Sequence, residues 1–221
     1  MGRFTSHTLA MTSPTPTFPD FYDQAPRLLV RDPLAEFLGA AAGGVIEYGY
    51  ADVVRLAGHS CPTVAGAYLM VRRGLRALYG DALPERGGID VVMQGAANAG
   101  TTGVIASVAQ LLTGAAAETG FQGIGPSARF ARNDLLRFGG AVDAILALRR
   151  RDSGAGVQLQ LDASIVAWSE DMPALLPRAI AGRASADELA RFGQLWQERV
   201  RRMLVEHADD PRLVRLNDWP Q

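Results

Sequence analysis

A single cysteine, Cys61, stands in a chain of 221 residues. One thiol excludes an intramolecular disulfide framework and every all-cysteine zinc finger, and it fits a reducing, cytoplasmic compartment. The three histidines are equally sparse. His7 falls in the N-terminal stretch and His207 at a helix end, which argues against a three-histidine zinc site. Net charge is missing too: 22 basic against 23 acidic residues leave −1, so no overall field holds nucleic acid or an anionic membrane. Met1–Pro19 is rich in threonine, serine and proline and lacks the apolar run of about 7 to 15 residues that a secretory signal requires. It reads as a flexible arm over residues 1–19, with Met11 as an alternative start.

Between Asp90 and Glu118 lie 27 residues without formal charge. A bilayer takes about 20 apolar residues, but Gln94, Asn98, Thr101, Thr102, Ser107 and Gln110 are spread through this stretch, and Gly95, Gly100 and Gly103 interrupt it. A buried strand, a tight loop and a buried helix are expected there, and no membrane span.

The rest of the composition suits one domain with a sizeable core: 48% hydrophobic and 20% charged residues. Periodicity predicts a short helix at Leu34–Leu38 after Pro33, a strand at Val45–Tyr48 and a helix at Tyr50–Leu56. From Pro62 to Tyr79, Val64, Ala67, Tyr68, Val71, Leu75 and Leu78 recur at three and four, the spacing of one helical face, and Gly80 ends the run. Ile89–Met93 reads as a buried strand, and Thr101 or Thr102 caps a helix running to about Leu112. A glycine-rich loop, Thr113–Gly125, is too long for a simple connector and is a functional suspect. Val142–Arg150 and Val157–Leu161 flank a glycine-bearing turn as a hairpin. Ser185 and Glu188 form a capping box for a last helix whose stripe of Leu189, Phe192, Trp196, Val200 and Met203 either packs on the domain or joins two copies.

The chemistry concentrates in Gly58-His59-Ser60-Cys61-Pro62. Cys61 falls at the cap of a helix whose first residue is proline, and the free N–H groups of a helix start favour a thiolate. A thiolate is a nucleophile and a metal ligand; His59, two residues earlier, would bind a metal beside the sulfur or accept its proton. The plain alternative is a small buried cysteine beside a hydrogen-bonded histidine.

Gly58-His59-Ser60-Cys61-Pro62, with Ala65, Ala67 and Tyr68 on the following helix, resembles the Gly-His-x-Cys-Pro signature of the FmdE family, named after a component of formylmethanofuran dehydrogenase. Ile105–Gly114 and then Gly120, Gly123 and Gly125 are similar to that family's second helix, Leu-Thr-Gly turn and glycine-rich loop. The likeness spans about Tyr50 to Phe138. It implies an α+β fold, a mixed β-sheet packed by helices, with an FmdE-like core at 20–168 and a C-terminal helical extension at 169–221. It further implies a metal, commonly zinc, near the His-x-Cys pair, and a homodimer. Where the family reads Leu-Thr-Gly-Cys, this chain has Leu112-Thr113-Gly114-Ala115, so no second thiol is present for a redox couple.

A metal site then needs other ligands, and Glu118 is the candidate third ligand or general acid/base, against the plain reading of an exposed loop carboxylate. Gln94 and Asn98 are weaker candidates for the same cleft. Gly95–Thr102 follows a strand and opens a helix as a phosphate loop does, but has threonine where the lysine belongs. Arg149–Arg151 reads as a solvated hairpin end. The expectation is a transition metal, zinc foremost, held by His59 and Cys61 in an open cleft that takes a small-molecule ligand or substrate, with Cys61 and Glu118 as the catalytic candidates. The alternatives are a haem or metal carrier or sensor, metal-free thiol chemistry of Cys61 with His59, and a scaffold protein that docks a partner enzyme.

Overall fold

The computed structural model describes residues 17–220; most of the expected arm, including His7 and Met11, lies outside the described residues. The chain begins with a short helix α1 (Phe21–Gln24) and a two-stranded antiparallel ribbon, β1 (Leu28–Arg31) with β2 (Val45–Tyr48), spanned by α2 (Pro33–Phe37). Helices α3 (Tyr50–Ala57) and α4 (Pro62–Tyr79), strand β3 (Ile89–Met93) and helix α5 (Thr102–Thr113) follow. After a long irregular segment come β4 (Leu136–Arg137), β5 (Leu146–Arg150), β6 (Gly156–Leu161), α6 (Met172–Ile180), α7 (Ala186–Arg201) and β7 (Val214–Asp218). The main sheet has the order β4-β3-β5-β6-β7, with β3 and β4 parallel and the other neighbours antiparallel. This is the expected α+β class, with a mixed sheet packed by helices.

Helix α4 is the centre of the fold. Val64, Ala67, Tyr68, Val71 and Leu75 are all buried, as their spacing predicts, between the sheet and the other helices. Each large apolar side chain so placed contributes about 1.5–3 kcal/mol. Tyr68 fixes the ribbon by donating its hydroxyl proton to Pro26 O. The uncharged stretch forms β3, a loop and α5, and among the described residues no helix is long and apolar enough to cross a membrane.

Two segments differ from the sequence reading. Residues 142–145 are not strand: the backbone N–H groups of Asp143 and Ile145 donate to the side-chain Oε1 atoms of Gln158 and Gln160, at 2.7 and 3.2 Å, in place of a backbone ladder. The segment 169–221 also supplies more than helices, because β7 adds the edge strand beside β6. The chain's 22 basic residues are all arginine, and several tie this segment down. Arg73 of α4 donates from Nη1 to Asp210 O and Val214 O, both at 2.7 Å. Buried Arg199 of α7 donates to Val166 O and Ala163 O with its guanidinium over the Trp168 ring. The fork of a guanidinium suits this use, reaching two carbonyls at once.

Candidate metal centre

Gly58 ends α3 in the left-handed conformation, φ 73°, which a side chain would resist, and its N–H closes on Val54 O. The chain then turns through His59 and Ser60 into Cys61, the extended N-cap of α4, with Pro62 in the first turn. Cys61 Sγ accepts from Val64 N at 3.5 Å, so the thiol occupies the cap position that the sequence predicts. Cys61 is half-buried and His59 exposed. The Sγ atom lies 3.5 Å from His59 Nε2. On its other side the ring places Nδ1 2.9 Å from Ala57 O. A carbonyl oxygen only accepts, so Nδ1 carries the proton of the neutral imidazole and Nε2 offers its lone pair on the side of the sulfur.

Ser60, between the two, is held by a distant helix. Its hydroxyl donates to Gln197 Oε1 at 3.0 Å, and its carbonyl accepts from Trp196 Nε1 at 3.1 Å and Gln197 Nε2 at 3.2 Å. Because the one hydroxyl proton of Ser60 goes to Gln197, Tyr50, 2.9 Å away, must be the donor in their bond. Tyr22 also donates to Gln197 Oε1, at 3.4 Å. Tyr50 is fully buried, and that burial pushes its hydroxyl well above the ordinary range; burial raises Tyr22 as well. Both phenols therefore remain neutral donors at physiological pH. The loop carrying the reactive pair is thus fixed from α3 on one side and α7 on the other.

His59 borders a cleft of about 440 Å³, lined also by Leu56, Asn98, Gly103, Val104 and Ser107 among others. Asn98 thus shares the cleft with His59. Gln94 turns elsewhere, donating from Nε2 to Val142 O at 3.0 Å. Glu118 is exposed on the turn that follows α5 and is not brought to the pair. Among the described residues no group of three or more His, Cys, Asp or Glu side chains comes together to hold a metal. The expected cap of α5 is Thr101 by position, but its side chain makes no capping bond. Trp196 packs against this chain's own core, with the rings of Phe192 and Trp168 beside it at 5.3 and 4.9 Å. The residues that position the pair, Tyr50, Ser60, Trp196 and Gln197, were not singled out for that role by sequence. The helical stripe marks Trp196 as a contact with the domain or with a second copy, but nothing local links it to a loop 136 positions away.

No protein-family model matches the chain, and no curated protein matches it. Among solved structures it is similar to a tungsten formylmethanofuran dehydrogenase FmdE-like protein from Syntrophus aciditrophicus. The identity is 15%, over 79% of this chain and 73% of that one, with a TM-score of 0.40. That is a weak likeness of fold.

Proposed function

We propose that His59 and Cys61 together bind a transition metal ion, zinc foremost, at the mouth of an open cleft that admits a small-molecule ligand or substrate. The observation that carries the reading is the 3.5 Å separation of Nε2 and Sγ. Bond lengths of about 2.3 Å to sulfur and about 2.05 Å to nitrogen place two donors of a tetrahedral zinc ion about 3.6 Å apart. The proton on Nδ1, held by Ala57 O, leaves Nε2 as the free donor, the arrangement common to metal-binding histidines. The two atoms approach as neighbours on one side, which suits chelation better than the opposite faces of a haem.

Two donors do not complete a tetrahedral site, so the remaining positions belong to solvent, to the ligand, or to a second copy of the chain in a homodimer. A zinc ion bound there supplies Lewis acidity to whatever occupies those positions. His59 and Cys61 hold the ion, the Ser60 clamp keeps them from splaying, and Asn98 offers an amide to a molecule in the cleft. Zinc titration against a chromogenic chelator tests this: the wild type should compete for about one equivalent, and His59→Ala and Cys61→Ser should each lose it. Undiminished competition by both variants would sink the proposal.

The same 3.5 Å contact favours one second reading, a metal-free thiol enzyme with His59 as proton acceptor. Under that reading His59→Ala slows alkylation of Cys61 by iodoacetamide at least about tenfold in metal-stripped protein. Under the metal reading, added zinc protects Cys61 from the reagent.

A further inference from the structure

The glycine-rich loop after α5 takes no part in the metal centre, yet the segment it opens carries Arg132 into the interior. The Arg132 side chain is only 10% exposed, and its Nη2 donates to Asp32 Oδ1 at 2.7 Å. Arg86 Nη1 donates to the other carboxylate oxygen, Oδ2, at 2.5 Å. Two guanidinium groups thus share one buried carboxylate, leaving one positive charge in surplus. Some of their N–H groups also lack acceptors. Arg86 Nε is buried without a hydrogen-bond partner, and among the described residues Arg132 Nε and Nη1 have no protein acceptor.

Both arginines line a pocket of about 320 Å³, with Arg151 and Glu85 also on its wall and Pro33 and Phe130 as apolar flanks. Glu85 is engaged by Arg31 at 3.4 Å. The pocket is also where the backbone departs from ordinary conformations. Ala128 and Phe130, with φ of 49° and 66°, line it, and they are two of three non-glycine residues with positive φ among those described. Gly87 leaves the space for the guanidinium: a Cβ there would collide with Arg132 Nη1. Strain of this kind costs about 1–3 kcal/mol per residue and clusters where a binding or catalytic geometry depends on it.

We infer that this pocket is a binding site for a small oxyanion, a phosphate or carboxylate group, held between Arg132 and Arg151 and supplying the negative charge that the Asp32–Arg86–Arg132 cluster lacks and acceptors for the free N–H groups of Arg132. Each fork of a planar guanidinium pairs Nη2 with Nε or with Nη1, so the second N–H of Arg132 Nη2, beside the free Nε–H or Nη1–H, matches two oxygens of such a group. The apolar flanks of Pro33 and Phe130 leave room for an organic substituent on it. The site is separate from His59 and Cys61 and does not depend on a metal.

Isothermal titration at low salt with inorganic phosphate, phenyl phosphate and benzoate tests the inference. The titrations use metal-stripped wild type and the His59→Ala/Cys61→Ser double variant, so that binding at the metal cleft is separated. At least one of the three should bind at one equivalent in both proteins. Inorganic phosphate as the tightest would indicate a free oxyanion, and phenyl phosphate or benzoate an organic one. Replacing Arg132 by Gln should weaken binding about tenfold or more, and Arg151→Gln about threefold, since charge-assisted bonds to an oxyanion are the stronger class. Should Arg132→Gln fail to fold, the half-exposed Arg151→Gln decides. No saturable binding of any of the three up to about 10 mM, far weaker than specific sites operate, would overturn the inference. Equal affinity in the wild type and the folded arginine variants would overturn it as well.

Discussion

In the loop at the start of α4 the two reactive atoms lie 3.5 Å apart on residues only two positions apart, His59 and Cys61. Around Asp32, by contrast, the arginines arrive from 54 and 100 positions away. The first site is open to solvent and gets its rigidity from elsewhere, through the bonds of Tyr50, Trp196 and Gln197 to Ser60. At the second, the carboxylate is buried beneath the pocket and binds the two arginines by charge. A reactive pair at the surface can be altered with little effect on folding, whereas a buried carboxylate beneath two cations cannot. Stability and ligation should therefore separate cleanly by mutation.

The largest effect is expected at Asp32. Asp32→Asn removes the charge beneath Arg86 and Arg132 and should lower the free energy of unfolding by about 3–5 kcal/mol in denaturant titration, while zinc bound per folded molecule stays at the wild-type level. Its pH dependence sharpens the test. Burial pushes the Asp32 carboxyl up, but the charges of Arg132 and Arg86 and the N–H groups that open α2 outweigh it and hold the carboxyl below its ordinary value. A carboxyl lowered by folding contributes fully above the unfolded value of about 3.9, and that contribution disappears as the pH falls through the lower folded value. The stability gap between wild type and Asp32→Asn should therefore be widest near neutrality and narrow below about pH 4. A gap independent of pH would contradict the ionised role of Asp32.

Gln197→Leu should do the reverse. It deletes both bonds to Ser60 and the acceptor for Tyr22, so zinc affinity should fall about tenfold or more in competition titration, with oxyanion binding unchanged. Stability should fall by about 1–3 kcal/mol. Full zinc affinity in this variant would show that the loop needs no support from α7. The smallest effect belongs to Trp196→Phe, which keeps an aromatic ring but loses the bond to Ser60 O and should cost about 0.5–1.5 kcal/mol. A loss of several kcal/mol would instead mean that indole packing holds the loop.

The difference between the two regions also explains what was readable from sequence. His59, Cys61, Pro62 and the face of α4 follow local rules of capping and helical spacing, and they fall where those rules place them. Asp32 sits before a proline as an ordinary helix cap, and its Oδ1 does accept from Leu34 N and Ala35 N. Nothing nearby signals that the same carboxylate also receives two arginines. Arg132 is hidden further by its setting, a loop without apolar periodicity. Glu118 drew attention as the first charge after a long uncharged run, but the turn that carries it leaves it exposed. Helix α6 is obscured by Pro173 and Pro177 within it, and β7 by the distance in the chain of its partner β6.

The central claim, that Cys61 and His59 bind one metal ion together, is tested most directly by adding cobalt(II) to metal-free protein and recording the absorption spectrum. Coordination by both residues predicts an intense near-ultraviolet band from sulfur-to-cobalt charge transfer, saturating at one equivalent. The band should be absent in Cys61→Ser, and in His59→Ala it should saturate only at much higher cobalt concentration. A wild-type protein that develops no such band, or a His59→Ala variant that binds cobalt as the wild type does, would contradict the account.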